Sequence, residues 1–329
     1  MKKFIIILAA VLSATVFTAP AHSVMKKVGQ TGLQFLKVDM AARAAAMGGA
    51  FSMVGDDASA MFYNPAGIGR MQHKFDFFSG RTLWIADINY TAAGIVKDFG
   101  EWGAVGVNAV YCDYGDIIGT QVASNKKGYE RTGTVEVGAY AVGLSYAKSL
   151  TDMFTLGGSV KYTGQHLGSS VIVAGGTANE NKMNALAFDF GTIFYPGFES
   201  LRVGMSINNF SADIKYFDEA FQLPLTFRIG AAMDVLDIFG KHDNPLLIAV
   251  DALHPRDYTE RVHVGGEFLY KNMIALRAGY KFNYDEEGLT AGIGLKYALS
   301  GVYVKLDYSY GDLGVFETVS RFALGISLQ

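Results

Sequence analysis

The chain has 329 residues, a net charge of −3 and only 18% charged side chains, a balance that excludes a basic surface for nucleic acid. Half of its residues are apolar, yet no stretch after the first twenty or so approaches a membrane-spanning helix, which excludes a helical membrane protein. Glycine (39), tyrosine (18) and phenylalanine (23) are plentiful and proline (6) is scarce, a composition that suits strands crossing a membrane, and no linker divides the chain.

The N-terminus reads as a targeting segment. Lys2 and Lys3 precede an apolar run from Phe4 to Phe17, and Ala19-Pro20-Ala21 is a small-x-small cleavage site. The run is short for a transmembrane helix and no stop-transfer charge cluster follows. The expectation is therefore a secretory signal peptide, 1–21, removed after Ala21.

Residues 22–72 carry no strand pattern. Asp39 is placed to cap a helix from Met40 to Met47, closed by Gly48-Gly49. Phe51 to Val54 reads as a short extended piece. Asp56 or Asp57 caps a turn from Ala58 to Tyr63, and Asn64-Pro65 ends it, because the residue before a proline leaves the α region. Gly67 and Gly69 complete the bend. Such a segment either lies on the periplasmic surface or fills a lumen. The plug is the favoured reading, since a fourteen-strand barrel is too wide for side chains alone to fill.

From residue 73 to 329 the chain repeats runs of about ten residues with period two. Ile274, Leu276, Ala278, Tyr280 and Phe282 alternate with Arg277, Gly279, Lys281 and Asn283. The same holds for Val302 to Tyr310 and for Phe322 to Leu328. One face is aliphatic and aromatic and the other is small, polar or charged, as a lipid face and a wet lumen require. Strands are expected at 75–80, 83–96, 102–113, 134–148, 153–166, 183–194, 201–210, 224–236, 245–254, 260–270, 273–283, 288–298, 302–311 and 318–328. The long joints 114–133, 167–182 and 211–223 alternate with short ones such as 149–152 and 271–272. Joint 237–244 is longer than this rule prefers. The fold class is thus all-β, a transmembrane antiparallel β-barrel of about 14 strands with a short helical N-terminal hatch. It is expected in the cell outer membrane, bounded by outer-membrane lipid, with both termini periplasmic.

Catalytic and cofactor chemistry finds no foothold in this sequence. The six histidines, His22, His73, His166, His242, His254 and His263, show no zinc-helix spacing. There is no phosphate loop and no nucleophile elbow. His263 reads as lumen wall beside Arg261 and Glu267. Asp285-Glu286-Glu287 reads as a solvated loop rather than a calcium site. The lone Cys112 reads as strand filler with no polarising neighbour. No enzyme, metal or cofactor is expected. In the hatch, Phe51, Met53, Met61 and Phe62 either line a path for an apolar ligand or simply pack the plug. Asn64, Pro65, Ala66 and Gly67 form the kink whose movement would open a path.

The stretch Ala42-Arg43-Ala44-Ala45-Ala46-Met47-Gly48-Gly49-Ala50, followed by Asp56-Asp57-Ala58-Ser59-Ala60-Met61-Phe62-Tyr63-Asn64-Pro65-Ala66-Gly67, resembles the start of the PorV/PorQ family (also catalogued as UPF0164), which is similar to the FadL-like barrels. The resemblance implies fourteen strands and an N-terminal hatch. It leaves two functions open. The one placed first is a component of type IX protein secretion or surface attachment, with secretion-system proteins or cargo C-terminal domains as partners. The alternative is a FadL-like transporter of fatty acids or other hydrophobic molecules.

Overall fold

The computed structural model describes residues 29–171, 177–216, 219–240 and 243–329, so the expected signal peptide lies outside the described residues. Fourteen strands follow one another around a closed antiparallel ring. They are β1 (Phe75–Leu83), β2 (Asn89–Asp98), β3 (Ala104–Asp113), β4 (Val137–Thr151), β5 (Phe154–Ser170), β6 (Asn179–Phe194), β7 (Arg202–Phe210), β8 (Thr226–Asp234), β9 (Leu246–Pro255), β10 (Arg261–Tyr270), β11 (Ile274–Phe282), β12 (Leu289–Leu299), β13 (Val302–Asp312) and β14 (Thr318–Leu328). The ring closes where β1 meets β14, in a register from Phe75 opposite Leu328 to Leu83 opposite Ser320. Closure leaves no unpaired strand edge.

The two faces of each strand follow the alternation in the sequence. On β11, Leu276, Tyr280 and Phe282 are exposed, while Arg277, Gly279 and Lys281 between them are buried. On β6, Leu186 is 55% exposed and Ala187 fully buried. An exposed apolar belt around a polar interior inverts the arrangement of a water-soluble barrel and fits a wall surrounded by lipid. Among the described residues no helix is long and apolar enough to cross a membrane, so the strands are the elements that can span it.

Long joints gather at one end of the barrel and short turns at the other. The long-loop end carries a projecting hairpin between β3 and β4 (Ile117–Val122 with Tyr129–Val135) and a two-stranded piece between β7 and β8 (Ile214–Tyr216 with Glu219–Phe221). Neither is part of the ring. The short-turn end has tight connections such as Lys271-Asn272 and Ser300-Gly301, all at positive φ. The long 237–244 joint begins within a 3-10 helix, Val235–Phe239, whose Leu236 amide donates to the Asp234 side chain.

Two expectations about strand edges need correction. β1 runs on to Leu83 and β2 begins only at Asn89. The turn between them places Ala86 and Asp87 at φ 55° and 59°. A left-handed pair is usually announced by Asn-Gly or Asp-Gly, and Ala-Asp gives no such signal. β5 and β6 extend past the expected joint, so that only 171–178 remain between them.

Residues 29–74 lie inside the ring. Their contacts reach strands all round it, from Gly94 and Gly106 on β2 and β3 to Gly265, Gly279 and Gly292 on β10 to β12. The elements are a 3-10 helix Gln34–Lys37, a single α-helix α1 (Ala42–Ala46), and two 3-10 helices, Ala58–Phe62 and Pro65–Arg70. α1 is shorter than the expected Met40–Met47 helix, and Asp39 does not cap it. Phe51–Val54 is a turn, not an extended piece, because the amides of Val54 and Gly55 both return to the Phe51 carbonyl. The segment starts at the long-loop end, where the Gly32 amide donates to the Gln222 carbonyl at 3.0 Å. The two described ends of the chain, Gly29 and Gln329, therefore lie at opposite ends of the barrel. The expected mature N-terminus itself lies outside the described residues.

Candidate functional site: a plugged lumen with two chambers

The plug is held by buried polar groups that the strand alternation aims inward. At the long-loop end the Thr31 hydroxyl and the Lys37 ammonium donate to Asp257, at 2.7 and 2.9 Å. Deeper, Lys281 on β11 donates to the Asp39 carboxylate at 2.9 Å, and Arg321 on β14 donates to the Asp39 carbonyl at 3.0 Å. Burial by itself would raise the Asp39 carboxyl. The charges of Lys281 and Arg321 outweigh it and hold the group well below the usual carboxylate range. Arg43 on α1 donates two hydrogen bonds to Glu267, at 2.9 and 2.7 Å, and one to Asp56 at 3.1 Å. Glu267 also accepts from Arg277 at 2.5 Å, and Arg277 donates to Asp307 at 2.6 Å.

Asp251 on β9 accepts the amides of Phe51 (3.1 Å) and Ser52 (3.0 Å) and the Ser52 hydroxyl (2.6 Å). Asp57 accepts the Ser59 amide at 3.0 Å and faces Lys305 at 3.3 Å. Burial again pushes its carboxyl up, but Lys305 and Arg43 prevail and hold it below the ordinary range. Asp76 on β1 accepts the Ala58 amide at 2.8 Å. These bonds satisfy plug backbone that neither helix nor sheet pairs, which a buried loop requires.

The kink residues are structural in this arrangement. The Asn64 amide group donates to the carbonyls of Ser52 (3.0 Å) and Thr192 (3.2 Å), and its oxygen accepts the Ala66 amide at 3.0 Å. Asn64 thus caps the Pro65–Arg70 helix and ties the plug to β6. Gly191 and Gly157 give it room, since a β-carbon on either would overlap Asn64, Pro65 or Ala66. Gly67 likewise packs against the Gly55 carbonyl.

Of the four apolar hatch residues, which the sequence allows either to line a path or to pack the plug, three are fully buried. Phe51, Met53 and Met61 are each 1% exposed. Phe51 stacks edge-on against Tyr63, with ring centres 5.1 Å apart. Met53 fills the space above Gly204 and Gly230, and Met61 that above Gly94 and Gly106. They pack the plug against the wall. Only Phe62 borders a cavity.

That cavity, about 390 Å³, opens in the long-loop half of the lumen. Its lining includes the apolar side chains of Phe35, Leu36, Val38, Phe62, Trp84 and Tyr114. It also includes cations, most of which are ion-paired. Lys161 pairs with Asp189 at 2.9 Å, Lys281 with Asp39 and Glu287, and Lys37 with Asp257. Among the described residues Arg228 and Arg261 have no ion pair within 4 Å. The Nε of each is buried without a hydrogen-bond partner. The Arg261 guanidinium lies between the rings of Tyr258 and Tyr284, at 4.1 and 3.8 Å. His263 borders the same space, with Nε2 2.8 Å from the Tyr284 hydroxyl.

A second cavity of about 330 Å³ opens toward the short turns, lined by Arg43, Asp56, His73, Glu267, Arg277, Lys296, Lys305 and Asp307 among others. Its wall is mixed, because Leu269, Met273, Ala275, Leu295 and Tyr303 line it together with these charged groups. Among the described residues no group of three or more His, Cys, Asp or Glu side chains is arranged to hold a metal ion. Cys112 is buried in β3 as a free thiol.

Sequence reasoning passed over Asp251, Arg228 and the Lys281–Asp39 pair. Their only signal was an ionisable residue at an inward position of a strand in a chain poor in charge.

No protein-family model matches the sequence, and no curated protein matches it. Solved structures do match. The toluene transporter TbuX of Ralstonia pickettii superposes with a TM-score of 0.58 at 14% identity, covering 88% of this chain and 98% of that one. The toluene transporter TodX of Pseudomonas putida gives 0.56 at 13%, covering 87% and 96%. A FadL homologue of Pseudomonas aeruginosa gives 0.55 at 11%, covering 88% and 98%. The fold is therefore that of the FadL-like outer-membrane barrels: closed, antiparallel and fourteen-stranded. The matches stop at that fold and do not reach the PorV/PorQ family.

Proposed function

We propose that this protein is an outer-membrane channel for small hydrophobic or amphipathic molecules. It admits them at the long-loop end, which faces the outside, and the plug guards the periplasmic end. The observation that carries this reading is the cavity lined both by Phe62, Trp84 and Tyr114 and by Arg228 and Arg261, whose Nε atoms are buried without a hydrogen-bond partner. Apolar side chains beside guanidinium nitrogens that lack an acceptor are complementary to a molecule with a hydrocarbon body and an acidic end. The solved structures named as toluene transporters share this architecture and support the direction of the proposal. A role in secretion or attachment, which the motif resemblance placed first, has no observation of its own here.

Trp84 makes the test direct. The other tryptophan, Trp102, is 82% exposed at the opposite end, so a Trp102→Phe protein reports on the cavity alone. Titration with dodecanoate is expected to shift Trp84 emission saturably. Arg228→Gln with Arg261→Gln should weaken dodecanoate about tenfold or more, one charged hydrogen bond being worth about 1.5–3 kcal/mol, and leave dodecanol nearly unaffected. An emission that does not respond to either ligand would sink the proposal.

A further inference from the structure

The ion pairs around the short-turn chamber leave one cation over. Arg43 is held by Glu267 and Asp56, Arg277 by Glu267 and Asp307, and Lys305 by Asp57 at 3.3 Å and Asp76 at 3.7 Å. Lys296 on β12 has no ion pair within 4 Å among the described residues. Its ammonium reaches only a neutral acceptor, the Asn272 side-chain oxygen at 3.4 Å, and stands 5.5 Å from the centre of the Tyr303 ring. Its cross-strand partner on β13 is Lys305, so two like charges face each other on the inner wall. Such a pairing is destabilising unless both charges are answered. Lys305 is answered and Lys296 is not. The acids of the chamber are already engaged: Asp56, Glu267 and Asp307 each lie within 3.1 Å of Arg43 or Arg277.

The surroundings of Lys296 define what would complete it. Its backbone amide donates to the Met273 carbonyl at 2.7 Å, which sets it beside the strand that carries Met273 and Ala275. Both of these, with Leu269, line the same chamber and give it an apolar part. His73 packs its ring on Tyr303, with ring centres 4.7 Å apart, and its Nδ1 is buried without a hydrogen-bond partner. An unanswered ammonium, an unused imidazole nitrogen and apolar side chains thus border one space of about 330 Å³.

We propose that this chamber is a second binding site, for a small organic carboxylate that enters from the short-turn end. The carboxylate pairs with the Lys296 ammonium and separates it electrostatically from Lys305. The body of the molecule lies against Leu269, Met273 and Ala275, and His73 offers a further hydrogen bond at Nδ1. One free cation matches one negative charge, which favours a carboxylate over a phosphate monoester carrying nearly two. The plug does not have to move for this, because Lys296, Met273 and Tyr303 all belong to the wall. The site is independent of the transport reading, since that reading rests on other residues in the long-loop half.

Benzoate is the probe, titrated calorimetrically at low salt into the detergent-solubilised full barrel. The background is Arg228→Gln with Arg261→Gln, so that the guanidinium groups of the outer cavity do not contribute. One saturable site is expected. Benzamide, the same body without the charge, should not bind measurably. Adding Lys296→Gln should weaken benzoate about tenfold or more, and Lys296→Arg should restore most of the affinity. Because Lys296 faces Lys305, Lys296→Gln should leave the temperature at which the compact, heat-modifiable form is lost unchanged or raised. Absence of saturable binding in the background protein overturns the site, as does equal binding by Lys296→Gln. A marked fall in that temperature assigns Lys296 a structural role and overturns it too. Inorganic phosphate that competes as well as benzoate overturns the carboxylate class. Benzoate binding together with an unresponsive Trp84 would refute the transport reading and leave this site standing.

Discussion

Asp251 shows how much a single inward residue can organise. It lies on β9 and takes three hydrogen bonds from Phe51 and Ser52, about two hundred residues earlier in the chain. Asp251→Ala leaves two amides and a hydroxyl buried without an acceptor, at about 1–3 kcal/mol for each group left unmade. Hydrogen exchange at the Phe51 and Ser52 amides should quicken at least about tenfold, with β9 amides little changed; equal exchange in both proteins would show that Asp251 does not retain the turn. At this scale the sequence is a partial guide. The alternation announced that Arg277 and Lys281 point inward, and they do. It could not announce that Lys281 meets Asp39, because that pairing depends on where the plug rests. Phe51 and Met61 were ambiguous for the same reason. A path-lining methionine and a packing methionine have the same neighbours in sequence and differ only in what lies opposite.

Among the elements, the plug depends on charge and the strands on their pattern. Asp39 and Asp57 are held below the usual carboxylate range by cations that outweigh their burial. A depressed folded-state pKa contributes stability above the unfolded value, about pH 4, that is lost as pH falls through the folded value. The plug should therefore resist added protease unchanged from about pH 5 to 8. It should become cleavable only under acid below the ordinary carboxylate range, which limited digestion with an acid-active protease can follow. Release at pH 5 to 6 would mean that other groups control it. The helices of this segment were legible as to place but not extent. α1 is trimmed to Ala42–Ala46 because Asp39, the expected cap, is drawn to Lys281 instead. Asn64 was foreseen as an end and proves also to be a beginning, the cap of Pro65–Arg70.

For the whole molecule, the barrel and its contents are separable in principle. The ring is closed by backbone hydrogen bonds between β1 and β14, and none of these involves the plug. A chain lacking residues 29–70 should still form a barrel that migrates as a compact, heat-modifiable species in cold detergent gels, and should conduct continuously in bilayers. Failure to form that species would make the plug part of the folding unit. Strand number, strand direction and the lipid-facing belt were determined by the sequence alone, because period-two alternation is local and each strand carries its own copy of it. The tertiary structure alone decided that glycines on β10 to β12 are a seat, that Arg228 and Arg261 border the same cavity as Phe62 and Trp84, and that the first described residues lie at the long-loop end. Each depends on residues far apart in the chain meeting inside a closed ring, and no local pattern encodes which of them will meet.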